Sequence, residues 1–268
     1  MSYLNFNKTL LVNLEKSLKK EVLRTNRSGA YNSSTLIDCN TRKYHGQLIV
    51  PLPQFGGENH VLLSTLDETV VQYGAEFDLG VHKYHDNNFS PNGHKYIRHF
   101  EVDVLSKSVY RVGSVVFSKE RLMVSHEPRL LTKYTLIESI STIKMKFKPF
   151  LSFRNVNQLS KENSYINKEY QLLENGISTS LYEGFPELCM QFSKKSEYTH
   201  SPDWYRNIEY LKEQERGYDY KEDLYVPGEF EVSMKQGDEL IFTAGLEPIS
   251  TRTLKKLWNE EVAKRNKR

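Results

Sequence analysis

The residues best equipped for chemistry lie in two polar-aromatic stretches far apart in the chain. The first runs from Thr25 to Leu48 and carries Asn40, Arg42, Lys43, Tyr44 and His45 just ahead of the apolar run Leu48-Ile49-Val50. Arg42 brings a planar fork of donors, and Tyr44 and His45 bring flat faces with polar tips. Polar side chains on a loop held by a rigid strand are where binding usually resides, and this set suits a polyhydroxylated ligand. The same side chains can equally tie down their own loop's backbone. The second stretch spans residues 200–227 and holds Trp204, Tyr205 and Arg206. Trp204 can stack on a pyranose ring while Arg206 bonds its hydroxyls, or it can pack as a corner beneath a sheet, since tryptophan is usually mostly buried. Arg154 and Asn155, beside a strand end, share that ambiguity.

An acidic cluster follows, with Glu213, Glu215, Asp219, Glu222 and Asp223 among Lys212, Arg216 and Lys221. Glycoside hydrolysis needs two carboxylates flanking the scissile bond, one of them protonated. The carboxylates suffice in number, but the bases among them lower carboxylate pKa values and oppose an acid role. The cluster therefore reads as loop-ordering ion pairs and hydrogen bonds, and no catalytic pair is assigned. His82 and His85, with Asp86 and His94, could mark a metal site, yet their spacing matches no familiar zinc pattern. There is no Gly-x-Ser-x-Gly, no phosphate-cradling glycine loop and no dinucleotide fingerprint. No metal and no cofactor are expected.

The elements that must position these groups are mostly strands. Residues 8–20 place Leu11, Leu14 and Leu18 on one stripe and predict a short helix. From about Glu21 the period changes to two. Strands are predicted over 48–52, 60–66, 68–73 and 76–84, with a loop at 86–94. Further strands follow over 96–104, 109–112, 115–124, 130–137, 176–182 and 188–193. Ile143, Met145 and Phe147 alternate with Lys144, Lys146 and Lys148, the pattern of a half-buried strand. Residues 155–167 read as a polar connection and 200–227 as a long loop with a helical turn. Phe230, Val232 and Met234, a turn at Gln236-Gly237-Asp238 and residues 240–243 read as a hairpin. Ser250 or Thr251 would cap a last helix with Leu254, Leu257, Trp258 and Val262 on one stripe. An exposed stripe of that kind calls for a partner surface. Many strands with helical signals at the two ends imply a mainly β protein of two packed antiparallel sheets with short terminal helices.

Composition narrows the class. The chain has 268 residues, a size that single all-β units reach. Its 17 tyrosines and 13 phenylalanines favour strands and can supply flat faces for sugars. The net charge of +3 is small and the two signs are interspersed, which removes any electrostatic case for nucleic acid. Cys39 and Cys189 are the only cysteines, so the chain is no disulfide scaffold, and both are expected as reduced thiols in a cytoplasmic protein. No run approaches the roughly 20 apolar residues of a membrane span.

The motifs also carry a resemblance. Asn40-Thr41-Arg42 with Tyr44-His45-Gly46 before an apolar strand resembles the N-terminal domain of bacterial and archaeal-type glycogen debranching enzymes (amylo-α-1,6-glucosidases). Trp204-Tyr205-Arg206-Asn207, Glu215-Arg216-Gly217-Tyr218-Asp219 and Glu222-Asp223-Leu224 form a second match, with Arg111-Val112-Gly113 and the run from Phe150 to Arg154 between them. The turn after Thr25-Asn26 departs from the family, with Arg27, Ser28 and Ala30 where relatives favour glycine. The resemblance implies a supersandwich over residues 1–249. It also implies a linker helix over 250–268 leading to a helical-toroid catalytic domain of the same polypeptide. Glycogen or a similar α-glucan would be the other partner. Arg42, Tyr44, His45, Arg154, Trp204, Arg206 and Asp223 are the candidate substrate-binding residues. A free-standing α-glucan-binding module and a mutarotase-like epimerase are the alternatives; the latter needs a His and a Glu facing each other in a cleft on one sheet. Chain beyond Arg268 would favour the first reading.

Overall fold

A computed structural model describes residues 3–267, with 51% of the described residues in strands and 15% in helix. The period-two segments pair into two large antiparallel sheets, as expected. The nine-stranded sheet runs in the order Leu4–Asn7, Ile97–Val102, Ser106–Val112, Val115–Met123, Arg129–Glu138, Glu239–Gly245, Leu188–Phe192, Gly176–Thr179 and Gln171–Leu173. The eight-stranded sheet runs Glu197–Glu209, Lys221–Met234, Ile143–Asn155, Glu58–Gln72, Gly46–Leu52, Tyr31–Thr35 and Glu21–Thr25, with Ala75–Asp78 paired on Glu58–Gln72.

Apolar side chains at alternate positions of both sheets form one core. Phe147 of the eight-stranded sheet meets Tyr134 and Phe192 of the other at ring separations of 5.2 and 4.9 Å. Ile143, Met145 and Phe147 are buried, and the alternating lysines reach Glu231, Glu76 and Tyr205 on the outside. A charged group crosses this core. Lys119 bonds Asp38 and Glu68 at 2.8 and 3.0 Å, Arg121 bonds Asp38 at 2.7 Å, and the Tyr134 hydroxyl donates to Glu68 at 2.7 Å. Cys39 and Cys189 are free and buried, and burial pushes their thiols up to about 12 and about 11.

Several expectations needed correction. The single helix over 8–20 is two short ones, Lys8–Leu11 and Leu14–Ser17, because Asn13 caps the second by accepting the Lys16 N–H at 3.0 Å. The strands on either side of Asp67 are one strand, since Asp67 pairs with Lys148 in unbroken ladder. The long loop over 200–227 is two paired strands, Glu197–Glu209 and Lys221–Met234, around the helix Leu211–Glu215. Glu197–Glu209 is an edge strand with two register shifts, so most of its side chains face water and no clean alternation shows. The hairpin over 230–243 is not one: Lys221–Met234 and Glu239–Gly245 lie in different sheets. Both bury alternate residues in the same core, and periodicity cannot tell facing strands from paired ones.

The C-terminal helix Leu254–Asn266 overturns the uncovered stripe. Leu254 and Trp258 are 0% and 3% exposed, packed with Leu122, Val124, Leu131 and Ile241 on the outer face of the nine-stranded sheet. Leu257 and Val262 pack against the same cluster. The partner surface of this stripe is the chain's own sheet. Trp258→Ala should therefore cost about 3–5 kcal/mol of stability, whereas Lys256→Ala, at a solvated position, should stay within about 0.5 kcal/mol; chemical denaturation measures both.

Candidate functional site

Two bulges build the site. The strand Ile143–Asn155 shifts register before Arg154, with Phe153 at φ +48°, and the strand Glu197–Glu209 shifts between Tyr205 and Ile208, with Asn207 at φ +60°. Bulges re-aim side chains, and here Arg154 is turned inward to 5% exposure. Its Nε donates to Glu222 Oε1. Its Nη2 donates to Glu222 Oε2 at 2.9 Å and to the Lys43 carbonyl at 2.7 Å, and Nη1 to the Asn155 carbonyl at 3.1 Å. Burial opposes the guanidinium charge, but Glu222 beside it holds Arg154 above its usual range. Glu222, fully buried, also accepts the Ser160 N–H and hydroxyl at 3.0 and 2.9 Å and the Tyr210 hydroxyl. Burial, then the neighbouring Glu222 charge, raises Tyr210 well above 10, so this hydroxyl stays a donor.

The two motif stretches meet here. The Lys212 N–H donates to the Thr41 carbonyl at 2.8 Å, and the Lys43 N–H to Glu213 Oε1 at 3.3 Å. The junction is thus made by Thr41 and Lys43. Arg42 and His45 turn instead toward Glu21: Arg42 Nε donates to it at 2.7 Å, and His45 Nε2 lies 3.7 Å away. His45, and Arg42 after it, hold the Glu21 carboxyl down to about 2. Tyr44 reaches solvent with the Arg42 guanidinium 5.6 Å from its ring.

The remaining candidates divide. Trp204 is 8% exposed, its ring 5.5 Å from that of Tyr225. Arg206 pairs with Glu162 at 2.9 Å on the surface. Asp223 accepts the Asn207 N–H at 2.8 Å and the Glu162 N–H at 3.0 Å. Arg206 and Asp223 therefore meet at Glu162, Arg154 reaches the neighbouring Ser160 only through Glu222, and Arg42 and His45 converge on Glu21. His82 bonds Asp67 at 2.7 Å. Among the described residues no group of three or more His, Cys, Asp or Glu is placed to hold a metal ion.

Glu222, Tyr210, Ser160 and Lys43 were missed as site residues. The acidic cluster contained Glu222, but no sequence signal gave it Arg154 as partner, because the bulge that aims Arg154 leaves no pattern. Above this brace lies an open cleft of about 850 Å³ between Lys43, Asn157, Tyr218 and Lys221. Gly217, at φ +76°, ends the helix Leu211–Glu215 and turns Tyr218 out to it.

Fold and rim together define a two-sheet β-sandwich domain with a braced polar-aromatic edge. The chain belongs to the family described as glycogen debranching enzyme N terminal, which matches residues 20–241. Among solved structures, it is similar to a bacterial glucoamylase complexed with acarbose, with 10% identity over 92% of this chain and a TM-score of 0.43. The chain spans 36% of that glucoamylase's length. It is also similar to a heparan sulfate lyase HepC mutant from Pedobacter heparinus, with 13% identity, a TM-score of 0.34 and coverage of 64% of this chain and 22% of the lyase. No curated protein matches the chain. Among the described residues no helix is long and apolar enough to cross a membrane.

Glu222→Gln leaves the Arg154 charge buried without its counter-charge and should destabilise the chain by about 3–5 kcal/mol; the double variant Arg154→Leu/Glu222→Leu should recover much of that loss. Urea denaturation of the set decides this. Glu21 should titrate near 2 by NMR, below its ordinary 4.5. Because its folded pKa is depressed, the stability it contributes is complete above about 4.5 and is lost as pH falls toward 2. Glu21→Gln should remove that part of the acid sensitivity.

Proposed function

We propose that this chain is the non-catalytic N-terminal domain of a glycogen-debranching glycoside hydrolase acting on α-1,6 branch linkages of glycogen-like glucans. In this reading residues 1–249 form the sandwich, and 250–268 lead to a helical catalytic domain of the same polypeptide, with residues 1, 2 and 268 outside the described structure. The family match over residues 20–241 carries the reading. The candidate residues then fall into two roles. Arg154, Asp223, His45 and Trp204 hold the rim's shape from inside. Arg42, Tyr44 and Arg206 present it to the glucan and to the catalytic domain. Two buried free thiols suit a cytoplasmic setting.

The state of three of the cluster's five carboxylates supports a non-catalytic role. Glu222 is saturated by Arg154, Ser160 and Tyr210; Asp223 accepts two backbone N–H groups; Glu215 pairs with Lys212 at 2.6 Å. A hydrolase needs one carboxyl free to give up a proton and a second free to attack or to activate water.

The 268-residue chain alone should release no reducing sugar from a branched limit dextrin, and the natural polypeptide that continues into a helical domain should. Activity of the chain alone that vanishes in Glu215→Gln would overturn the reading. A natural polypeptide ending at Arg268 would replace it with a glucan-binding module.

A further inference from the structure

The charged group that crosses the core does not balance. Three cations, Arg24, Lys119 and Arg121, meet two carboxylates, Asp38 and Glu68. Asp38 is spent on Lys119 and Arg121, which it meets at 2.8 and 2.7 Å. Burial opposes the Asp38 charge, but Arg121 and Lys119 hold its carboxyl well below the usual carboxylate range. Glu68 is taken by Lys119 and the Tyr134 hydroxyl. Arg24, on the edge strand Glu21–Thr25, bonds neutral groups instead. Its Nε donates to the Ser106 hydroxyl at 2.8 Å, Nη2 donates to the same oxygen, and Nη1 donates to Asn32 Oδ1 at 2.6 Å. Among the described residues no carboxylate forms an ion pair with Arg24. Burial, then the like charge of Arg121, lowers the Arg24 guanidinium to about 9, as befits a cation short of counter-charge.

Arg24, Asp38, Ser106, Ser108, Lys119 and Arg121 line a small cavity of about 10 Å³. It lies at the seam between the two sheets, where the strand Glu21–Thr25 faces Ser106–Val112 and Val115–Met123. The volume has room for one water-sized occupant. Arg121 is 6% exposed, and its Nε has no hydrogen-bond partner. A buried N–H without an acceptor costs free energy, and so does a buried charge without its opposite.

We infer that this cavity holds one small monovalent anion of the chloride type, bound between Arg24 and Arg121. A water molecule could accept from Arg121 Nε but would leave the charge unmatched. One halide accepts that N–H and supplies the missing negative charge. A phosphate or a carboxylic acid is too large for the space. The ion joins the edge strand Glu21–Thr25 to the nine-stranded sheet. Glu21, which receives Arg42 and His45, is on that strand, so the seam also steadies one side of the rim. The site is independent of the debranching reading.

Thermal melts of the 268-residue chain in sodium chloride and in sodium gluconate, at equal ionic strength, test this. Chloride should raise the melting temperature by about 3 °C over gluconate, and the rise should saturate. Arg24→Gln removes the unmatched charge, and Ser106→Asp puts a fixed carboxylate in the ion's place; each should lose the chloride-specific rise. Equal melting temperatures in the two salts would mean that the cavity holds water and would overturn the proposal. A chloride-specific rise that persists in Arg24→Gln overturns it as well. Should both variants fail to fold, bromide-soaked crystals of the native chain decide. An anomalous peak between Arg24 and Arg121 is the expected result, and no peak there overturns the site.

Discussion

A guanidinium taken out of water must find its counter-charge and its acceptors where it lies. Arg154 is 5% exposed, and the answer to that constraint organises one edge of the molecule. The counter-charge is Glu222 on the adjacent strand. Glu222 in turn draws Ser160 from the irregular segment and Tyr210 from the turn before the helix Leu211–Glu215. The spare donors of Arg154 take the carbonyls of Lys43 and Asn155. One buried pair therefore fixes three separate pieces of chain. Such a pair adds little net stability against a well-packed apolar alternative, but breaking it by halves is costly. Its use here is positional.

The same logic appears inside the sandwich. Lys119, Arg121 and Tyr134 of the nine-stranded sheet meet Glu68 of the other sheet and Asp38 of its connecting loop. Directed charged bonds across the core add to the interdigitated apolar packing in setting the alignment of the two sheets. The sandwich is thus a rigid base, and the rim beside Arg154 is a loop assembly pinned to it.

The half-buried strands were legible because one face of each was apolar and the other polar, as at Ile143 to Lys148. The family was legible from its two motifs. What failed had physical causes. Edge position and bulges hid the strand Glu197–Glu209, and a crossover between sheets imitated a hairpin at 230–243. The helix stripe at Leu254 and Trp258 was visible, but its partner was not, since a sequence does not say which surface covers which. At the site, the pairings were not readable: Arg42 met Glu21, and Arg154 met Glu222 across 68 residues.

Hydrogen exchange on the native chain tests the central claim, that the buried charge pair makes an irregular edge as rigid as the sheets. The backbone N–H groups of Ser160, Glu162 and Asn207 are the reporters, because all three end on the carboxylates of Glu222 or Asp223. They should exchange as slowly as the N–H groups of Met145 and Phe147 in the central strand, through the same large opening. Exchange at the rate of an ordinary surface loop would show that the edge moves independently of the sheets, and would contradict the account.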